Sequence, residues 1–288
     1  MSEYIEKIKK IDPRWLHIAT LILIAYPLIY PIGWPLAQSE TTLKAFNLIE
    51  HLPEKSTVCI SVSMTATMFD AQGRIFKDWF SHCMKKNLNV VILSFSPEAA
   101  GWIPSQISQA ETFDWMQGKK YGTDYIYLGY VVYGAASFSD LLQNIRKEAA
   151  TDFFYSKPLD DWPITKNIRA FPDFDAWFFI AGSEPKAEVA YLIIPTKKIN
   201  TDFRALMAGG MAEYTTSRIY YLSGDLDSYV IGAPDWAAYE QLIVAKGVSP
   251  WGNARGLMDS MTNFHFLLLT MVIIGNVSVF FKRNKGGS

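Results

Sequence analysis

Residues 58–62 read VCISV, residues 90–95 read VVILSF and residues 175–181 read DAWFFIA. Each stretch is an almost continuous apolar run of strand length, in which β-branched and aromatic side chains dominate. Strands that are apolar on both faces are typical of a parallel sheet covered by helices on both sides. These three stretches therefore predict an α/β fold.

The segments around these strands carry helical periodicity. Ile75, Trp79 and Cys83 recur every four residues and predict a helix over 72–86, and an amphipathic helix is predicted over 39–52. Further helices are expected at 105–121, 138–149 and 234–244, and further strands at 125–132, 204–208 and 229–232. Residues 189–194 fit a strand or a helix equally well. The alternation predicts a three-layer Rossmann-like domain with a mostly parallel sheet.

A first apolar segment runs from Trp15 to about Leu36. Asp12 and Pro13 suit the N-cap and first position of a helix, and about 20 apolar residues are enough to cross a bilayer. Three prolines spaced by four residues near its end predict a bend or an early exit into extended chain: Pro27, Pro31 and Pro35. The length, the prolines and the lack of a small-residue cleavage site favour an uncleaved anchor over a signal peptide.

A second apolar run covers residues 265–281 and precedes a basic cluster, as expected for a second transmembrane helix. Basic residues flank the outer ends of both segments: Lys7, Lys9, Lys10, Arg14, Lys282, Arg283 and Lys285. Cationic flanks stay in the cytoplasm, so both termini are expected there and the central domain outside the cell membrane. The predicted division is an N-terminal anchor (1–37), an α/β domain (38–260) and a C-terminal helix with its basic tail (261–288).

The motifs in these segments resemble those of an uncharacterised family of prokaryotic membrane proteins. The similarity covers most of the chain and rests on IYPIGWP (29–35), KKYGTDYIYLGY (119–130), FDAWFFIAGSEP (174–185), YLSGDL (221–226), AAYEQL (237–242) and the stretch ARGLMDSMTNFHFLLLTMVIIGN (254–276). The resemblance implies a Rossmann-like domain between an N-terminal and a C-terminal transmembrane helix, and it implies no activity. Family members carry a glycine- and threonine-rich turn where this chain has Ser183-Glu184-Pro185-Lys186.

Composition and motifs exclude several classes of function. The formal net charge of −1 provides no basic field for nucleic acid. The sequence contains no GxSxG, P-loop, GxGxxG or HExxH motif, and its four histidines include two in the apolar segments. His51 and His82 are therefore expected to have structural roles. No metal site and no cofactor are predicted.

A ligand site in such a sheet would lie beyond the carboxyl ends of the strands. The candidate ligand-binding residues are Ser63, Thr65, Gly182, Ser183, Glu184, Gly209 and Gly210, with Ser61, Ser94 and Ser96 nearby. Their hydroxyls and glycines suit a small anion or polar ligand. The ordinary alternative, that the serines cap helices and the glycines form tight turns, is favoured.

Other polar pairs have simpler interpretations. Asp225 and Asp227 suggest a solvated turn more than a cation site, because no third ligand has a recognisable spacing. Asp173 and Asp175 are expected to cap or to face solvent. Cys59 and Cys83 are expected to be reduced core thiols, with a disulfide as the alternative.

An aromatic surplus favours protein contacts. Five tryptophans lie in predicted loops and helix edges together with Phe153, Phe154 and Tyr155: Trp102, Trp115, Trp162, Trp236 and Trp251. The core can absorb several, and the remainder suit a membrane surface or other subunits. The leading hypothesis is a non-enzymatic docking subunit of a homo- or hetero-oligomeric membrane assembly in the lipid bilayer. A membrane-tethered small-ligand sensor is the alternative, and a degenerate enzyme with Glu184 or Asp70 as base is a third possibility.

Overall fold

The computed structural model describes residues 12–285, without the side chains of Pro13 and of residues 277–285. The chain forms two compact units. One is Leu36–Ala254, and the other combines the residues up to Pro35 with those from Arg255 onward. Among the basic residues used to predict the topology, Lys7, Lys9 and Lys10 lie outside the described part of the chain.

The unit Leu36–Ala254 contains a six-stranded sheet in which every pair of neighbouring strands is parallel. The strand order is β3-β2-β1-β4-β5-β6, which is the order of Rossmann folds. The strands are β1 (Thr57–Ser63), β2 (Asn89–Ser94), β3 (Tyr125–Tyr130), β4 (Ala176–Ala181), β5 (Arg204–Gly209) and β6 (Ser228–Ile231). The predicted α/β fold with its parallel sheet is confirmed.

The described residues form ten α-helices, and six of them lie between consecutive strands. They are α1 (Pro13–Ile29), α2 (Glu40–His51), α3 (Phe69–Lys85), α4 (Pro97–Ala110), α5 (Ala135–Gln143), α6 (Lys186–Glu188), α7 (Ile194–Ile199), α8 (Tyr214–Ser223), α9 (Gly232–Ala245) and α10 (Ala254–Lys285). The α2 helix begins after Ser39, whose hydroxyl accepts a hydrogen bond from Thr42 N at 3.1 Å. The region 189–194, left open by its periodicity, is helical, with a π-helical turn at Val189–Ile193 between α6 and α7.

The predicted helix at 105–121 is wrong in position. The helix α4 occupies Pro97–Ala110, and Ser96 caps it with Pro97 in the first turn. A serine followed by proline is a strong start signal, because the hydroxyl binds a free amide and proline has no amide to satisfy. The later apolar residues that suggested the helix belong to a 3₁₀ turn at Asp114–Met116.

The sheet core is dominated by large apolar side chains. Rings on β4 and in the turn before it pack closely: the Trp177 and Phe179 centroids are 4.6 Å apart, and those of Phe171 and Trp177 are 4.9 Å apart. Cys59 and Cys83 are both buried free thiols in the core. Burial raises the pKa of both thiols, so they remain protonated core side chains.

The first apolar segment leaves its helix early, as the prolines predicted. Asp12 accepts a hydrogen bond from Arg14 N at 2.9 Å, and α1 contains Pro27 but ends at Ile29, before Pro31. Its 17 residues extend about 25 Å, less than the roughly 30 Å hydrocarbon core. The helical part of the segment ends seven residues before the end of the apolar run at about Leu36, so the helix alone does not span the core.

The C-terminal helix α10 begins eleven residues before the predicted apolar run, at Ala254. Among the described residues, Ala254–Asn276 is the one helix long and apolar enough to cross a membrane. The polar groups of its first turns bind the chain that follows α1. Asp259 accepts from Gly33 N at 2.8 Å and Trp34 N at 3.1 Å, and Asn263 accepts from the Trp34 indole at 3.0 Å.

Candidate functional site

The carboxyl edge of the sheet brings some of the predicted ligand residues together. The strand order reverses between β1 and β4, where a crevice is expected in this fold. A Cβ atom at Gly182 would lie 2.3 Å from the carbonyl oxygen of Ser63 and 3.2 Å from Met68 Sδ. The loops after β1 and β4 are thus in direct contact, and glycine is required there because no side chain fits.

Two side chains that the sequence did not single out organise the neighbouring loop. In the orientation that satisfies both groups, the buried Gln72 amide donates to Ala181 O at 3.1 Å and accepts from Gly210 N at 3.1 Å. A Cβ at Gly209 or at Gly210 would lie 3.2 Å from Glu213 Oε2. Burial raises the pKa of Glu213. The chain's own side chains therefore occupy the space beside Gly209 and Gly210.

The remaining predicted residues point to solvent. Thr65, Ser183 and Glu184 are exposed, and Glu184 forms an ion pair with Lys186. The carboxylate of Glu98 accepts a hydrogen bond from the amide of Ala66, just before α3. This backbone amide, one of those that could bind an anion at the strand end, is occupied by a group of the same chain.

The serines near this edge have structural contacts. Ser61 Oγ accepts from the Trp177 indole at 2.7 Å, and Ser94 Oγ donates to Val62 O at 3.1 Å. Ser96 is the N-cap of α4. Ser96 thus has the expected capping role, whereas Ser61 and Ser94 bind other groups of the sheet and cap no helix. A ligand at the strand ends stays a prediction.

A second polar centre surrounds Asp152, in the segment between α5 and β4. Its carboxylate is 2% exposed and accepts five hydrogen bonds of 2.8–3.2 Å: from Phe154 N, Tyr155 N, Lys157 N, Tyr121 Oη and Trp162 Nε1. Burial alone would raise its pKa, but these donors hold the pKa below its ordinary value. Asp152 is therefore an ionised anchor for the turn that follows it.

This anchor presents an aromatic turn, Phe153–Tyr155, on the surface. The three rings are 46%, 42% and 67% exposed, although each also packs against a neighbouring ring. Ser156 closes the turn in a left-handed conformation, φ 52°, which costs a non-glycine residue about 1–2 kcal/mol. The hydrogen bonds to Asp152 offset this strain and fix the rings in place. An aspartate directly before the turn is a signal that the sequence offered.

The aromatic turn lies beside the edge strand β3 and covers its free edge. Phe153 N donates to Tyr127 O at 2.9 Å, and Gly122 N donates to Tyr125 O at 2.7 Å. A cavity of about 340 Å³ adjoins the turn and is lined by Pro104, Ile107, Ser108, Glu111, Tyr121, Phe154 and Tyr155. The edge is therefore protected against strand addition, and the surface it offers consists of side chains.

The tryptophans divide between core and surface. Trp115, Trp236 and Trp251 are at most 7% exposed and belong to the core. Trp162 binds Asp152, and Trp102 stacks on Phe69 with ring centroids 5.0 Å apart. Of the eight aromatic residues singled out from the sequence, Phe153, Phe154 and Tyr155 are the exposed ones, although other rings of the α/β unit such as Tyr191 are exposed as well.

A buried pair of acids lies between α3 and α9. Asp78 is fully buried, and neither of its carboxylate oxygens has a hydrogen-bond partner among the described residues. Burial, and secondly the neighbouring Glu240, raise the pKa of Asp78 well above its ordinary value. Glu240 accepts a hydrogen bond from Ala254 N at 2.6 Å. A Cβ at Gly252 would approach both carboxylates, at 2.9 Å and 3.2 Å.

His82 lies in a chain of hydrogen bonds across three helices. Its Nδ1 is 2.7 Å from Tyr239 Oη, its Nε2 is 2.9 Å from Glu50 Oε1, and Glu50 Oε2 is 3.2 Å from Lys246 Nζ. Burial lowers the pKa of His82 to about 4 despite the carboxylate, so the ring is neutral and donates from Nε2 to Glu50. His51, in contrast, is exposed.

The other aspartates considered from the sequence serve as caps or ion pairs. Asp175 accepts from Thr57 N at 2.7 Å, and Asp173 accepts from Ala170 N at 2.9 Å. Asp227 pairs with Lys197 at 2.8 Å. Across residues 12–285, no group of three or more His, Cys, Asp or Glu side chains is arranged to hold a metal ion.

Comparison with protein-family models, with curated proteins and with solved structures found no match to this chain.

Proposed function

We propose that this chain is a non-enzymatic docking subunit of a membrane protein assembly, and that the aromatic turn Phe153–Tyr155 contacts a partner subunit. The observation that carries the proposal is the fixed exposure of three adjacent aromatic rings. Tyrosine and other aromatic side chains provide much of the binding energy at protein interfaces. A turn that is already ordered loses little conformational entropy on binding.

The contact is made by side chains. Because the edge of β3 is covered by Gly122 and Phe153, a partner cannot extend the sheet there. The cavity of about 340 Å³ beside Tyr155 accepts an apolar side chain from the partner, with the rings of the turn packing around it. Three exposed rings beside a cavity therefore form a compact apolar contact surface for the partner, which a charged surface would not provide.

The membrane arrangement is part of the proposal. Helix α10 crosses the cell membrane, and α1 crosses with it, completed by the extended chain that follows Ile29. The exposed apolar side chains of α1 support this role, among them Leu21, Ile22 and Ile29. Both termini are cytoplasmic and the α/β unit is extracytoplasmic, as basic residues outside the two segments favour.

The test is the mass of the complex extracted in mild detergent, with every chain identified. The variant combines Phe154→Ala and Tyr155→Ala, which keeps the backbone amides that bind Asp152. A matched control combines Tyr191→Ala and Ile199→Ala, which are 49% and 70% exposed elsewhere on the unit. We expect the wild type and the control to retain the assembly and the aromatic-turn variant to lose at least tenfold in partner affinity.

Two results would overturn the proposal. One is a wild-type chain that is extracted as a monomer with no other chain. The other is an assembly whose yield is the same in the aromatic-turn variant and in the control. Equal melting temperatures of the two variants show that a loss of assembly is not a loss of folding.

A further inference from the structure

A polar cavity of about 250 Å³ lies between helices α3 and α4, and none of its lining residues lines the cavity beside the aromatic turn. Its lining comes from two helical rows and one loop glycine: Phe69, Asp70, Arg74 and Lys77 on α3, Trp102, Gln106 and Gln109 on α4, and Gly252. Residues spaced by three and four positions lie on one face of a helix, so each row points into the same cavity. We refer to it as the α3–α4 cavity.

Two cations form one wall of this cavity. Arg74 Nη1 donates to Gly252 O and Asn253 O, each at 2.7 Å, and its Nε donates to Asp70 O at 2.8 Å. These bonds fix the guanidinium and leave Nη2 without a hydrogen-bond partner in the described part of the chain. The ammonium of Lys77 lies 5.3 Å from the Trp251 ring centroid and makes no ion pair with any described residue.

The opposite wall holds a buried acceptor without a donor. Gln106 is 9% exposed, and its Nε2 donates to Ser105 Oγ at 3.0 Å, while its Oε1 has no partner within residues 12–285. Since Ser105 Oγ itself donates to Trp102 O at 2.7 Å, exchanging the amide atoms would not satisfy the oxygen. A buried amide oxygen without a donor costs about 1–3 kcal/mol, which a bound ligand would recover.

The charge of the lining is positive. Arg74 and Lys77 face one exposed carboxylate, that of Asp70. Burial lowers the pKa of Arg74, and the carboxylates of Glu240, Asp70 and Asp78 partly oppose this shift, so the nearby acids balance part of the positive charge. The glutamines and the tryptophan indole add neutral hydrogen-bonding groups.

We propose that the α3–α4 cavity binds a phosphate group, with Lys77 and Arg74 Nη2 holding the anionic oxygens and Gln106 Oε1 accepting a hydrogen bond from a hydroxyl of the same ligand. Arginine and lysine are the usual protein partners of phosphate oxygens. A soluble hydrogen phosphate or phosphate monoester provides this chemistry. A phospholipid headgroup with hydroxyls provides it too, and Gly252 precedes the membrane helix by two residues.

The test uses the full chain in detergent and in lipid. Inorganic phosphate is titrated in detergent against melting temperature and by calorimetry. In parallel, the chain is reconstituted in bilayers of phosphatidylcholine with and without phosphatidylglycerol, whose headgroup carries hydroxyls. Lys77→Met removes one cation while keeping a long side chain, and Gln106→Leu removes the acceptor. Lys85→Met, an exposed lysine on the same helix, is the charge-matched control.

We expect Lys77→Met to weaken binding by about tenfold or more, and Lys85→Met to change it less than twofold. Phosphate binding in detergent identifies a soluble ligand, and stabilisation by phosphatidylglycerol alone identifies a headgroup. The proposal is overturned if neither probe binds. It is also overturned if Lys77→Met and Lys85→Met have equal effects while Gln106→Leu has none.

Discussion

Asp152 and Asp78 are both buried aspartates, but their surroundings shift the pKa of the carboxyl group in opposite directions. Both carboxylates are almost completely removed from water, with 2% and 0% exposure. Asp152 accepts five hydrogen bonds and its pKa is lowered, whereas Asp78 accepts none among the described residues and its pKa is raised. The depth of burial therefore does not explain why the pKa shifts of the two carboxyl groups differ in direction. The supply of donors decides whether a buried carboxylate stays ionised.

The two carboxylates therefore have opposite effects on stability as pH changes. For Asp152, the unfolded chain binds a proton more readily, so its contribution is present above the unfolded pKa and is lost as pH falls through the folded value. For Asp78, the folded chain binds the proton more readily, so stability is lost as pH rises from the unfolded pKa toward the folded one. One anchors a turn at neutral pH and the other weakens the fold there.

The largest effect is expected for Asp152→Ala. The substitution leaves the amides of Phe154, Tyr155 and Lys157 without their acceptor and releases the strained Ser156. We expect a loss of about 3–5 kcal/mol in the free energy of unfolding, measured by denaturant titration. The aromatic turn should also become accessible to proteolysis.

Asp161→Ala is the control for Asp152→Ala, because Asp161 is an exposed aspartate in the same segment. We expect its effect to stay below about 0.5 kcal/mol. A loss for Asp152→Ala no larger than that of the control would show that the five hydrogen bonds do not hold the turn.

The sequence predicts the sheet far better than it predicts this polar interior. Apolar runs such as 90–95 and 176–181 fix strands because burial on both faces leaves little alternative. The predicted helix at 105–121 starts eight residues too late, because the Ser96-Pro97 start signal sets the beginning of α4 at Pro97. Donors for a carboxylate come from distant positions such as Tyr121 and Trp162, and spacing along the chain cannot reveal them.

The candidate site shows the same division. The glycines after the strands were identified, because tight strand-to-helix turns need them, and Gly182 indeed meets the backbone of Ser63. Gln72 and Glu213 fill the space beside these glycines. Which side of their helices faces the glycines depends on how the helices pack on the sheet, and the sequence does not reveal this. The residues that each helix contributes to the α3–α4 cavity have helical spacing in the sequence. The cavity itself could not be predicted, because it forms only where the two helices pack together.

His82 is intermediate between Asp152 and Asp78, because it is a buried titratable group with two hydrogen-bond partners. Its folded pKa of about 4 lies below the unfolded value near 6.5, so the unfolded chain binds the proton first on acidification. Stability is therefore present above pH 6.5 and is lost as pH falls from 6.5 to about 4, by about 3 kcal/mol. This window lies above the one in which Asp152 titrates.

In the variant His82→Gln, we expect the fall in stability between pH 6.5 and 4 to become much smaller, leaving the acid loss caused by carboxylates with a lowered pKa, among them Asp152 and Asp124. The free energy of unfolding is measured at half-unit pH intervals. His51→Gln, at an exposed histidine, should keep the wild-type pH profile. An unchanged profile in His82→Gln would mean that another group produces the slope.

The smallest effect is expected for Asp78→Asn, and it separates the two carboxylates most directly. The asparagine amide has nearly the same shape as the aspartate carboxyl group and cannot ionise. Its N–H groups also lie near Glu240, which would repel an ionised Asp78. We expect a change below about 1 kcal/mol at neutral pH, with the fall in stability on raising pH removed. Asp152→Asn is the matched change at the other carboxylate and should cost more, because the amide nitrogen would face donors. A different result would be an equal loss of unfolding free energy in both variants at pH 8 and at pH 5. Asp78 would then be ionised like Asp152, and the number of hydrogen-bond donors would not explain the difference between the two carboxylates.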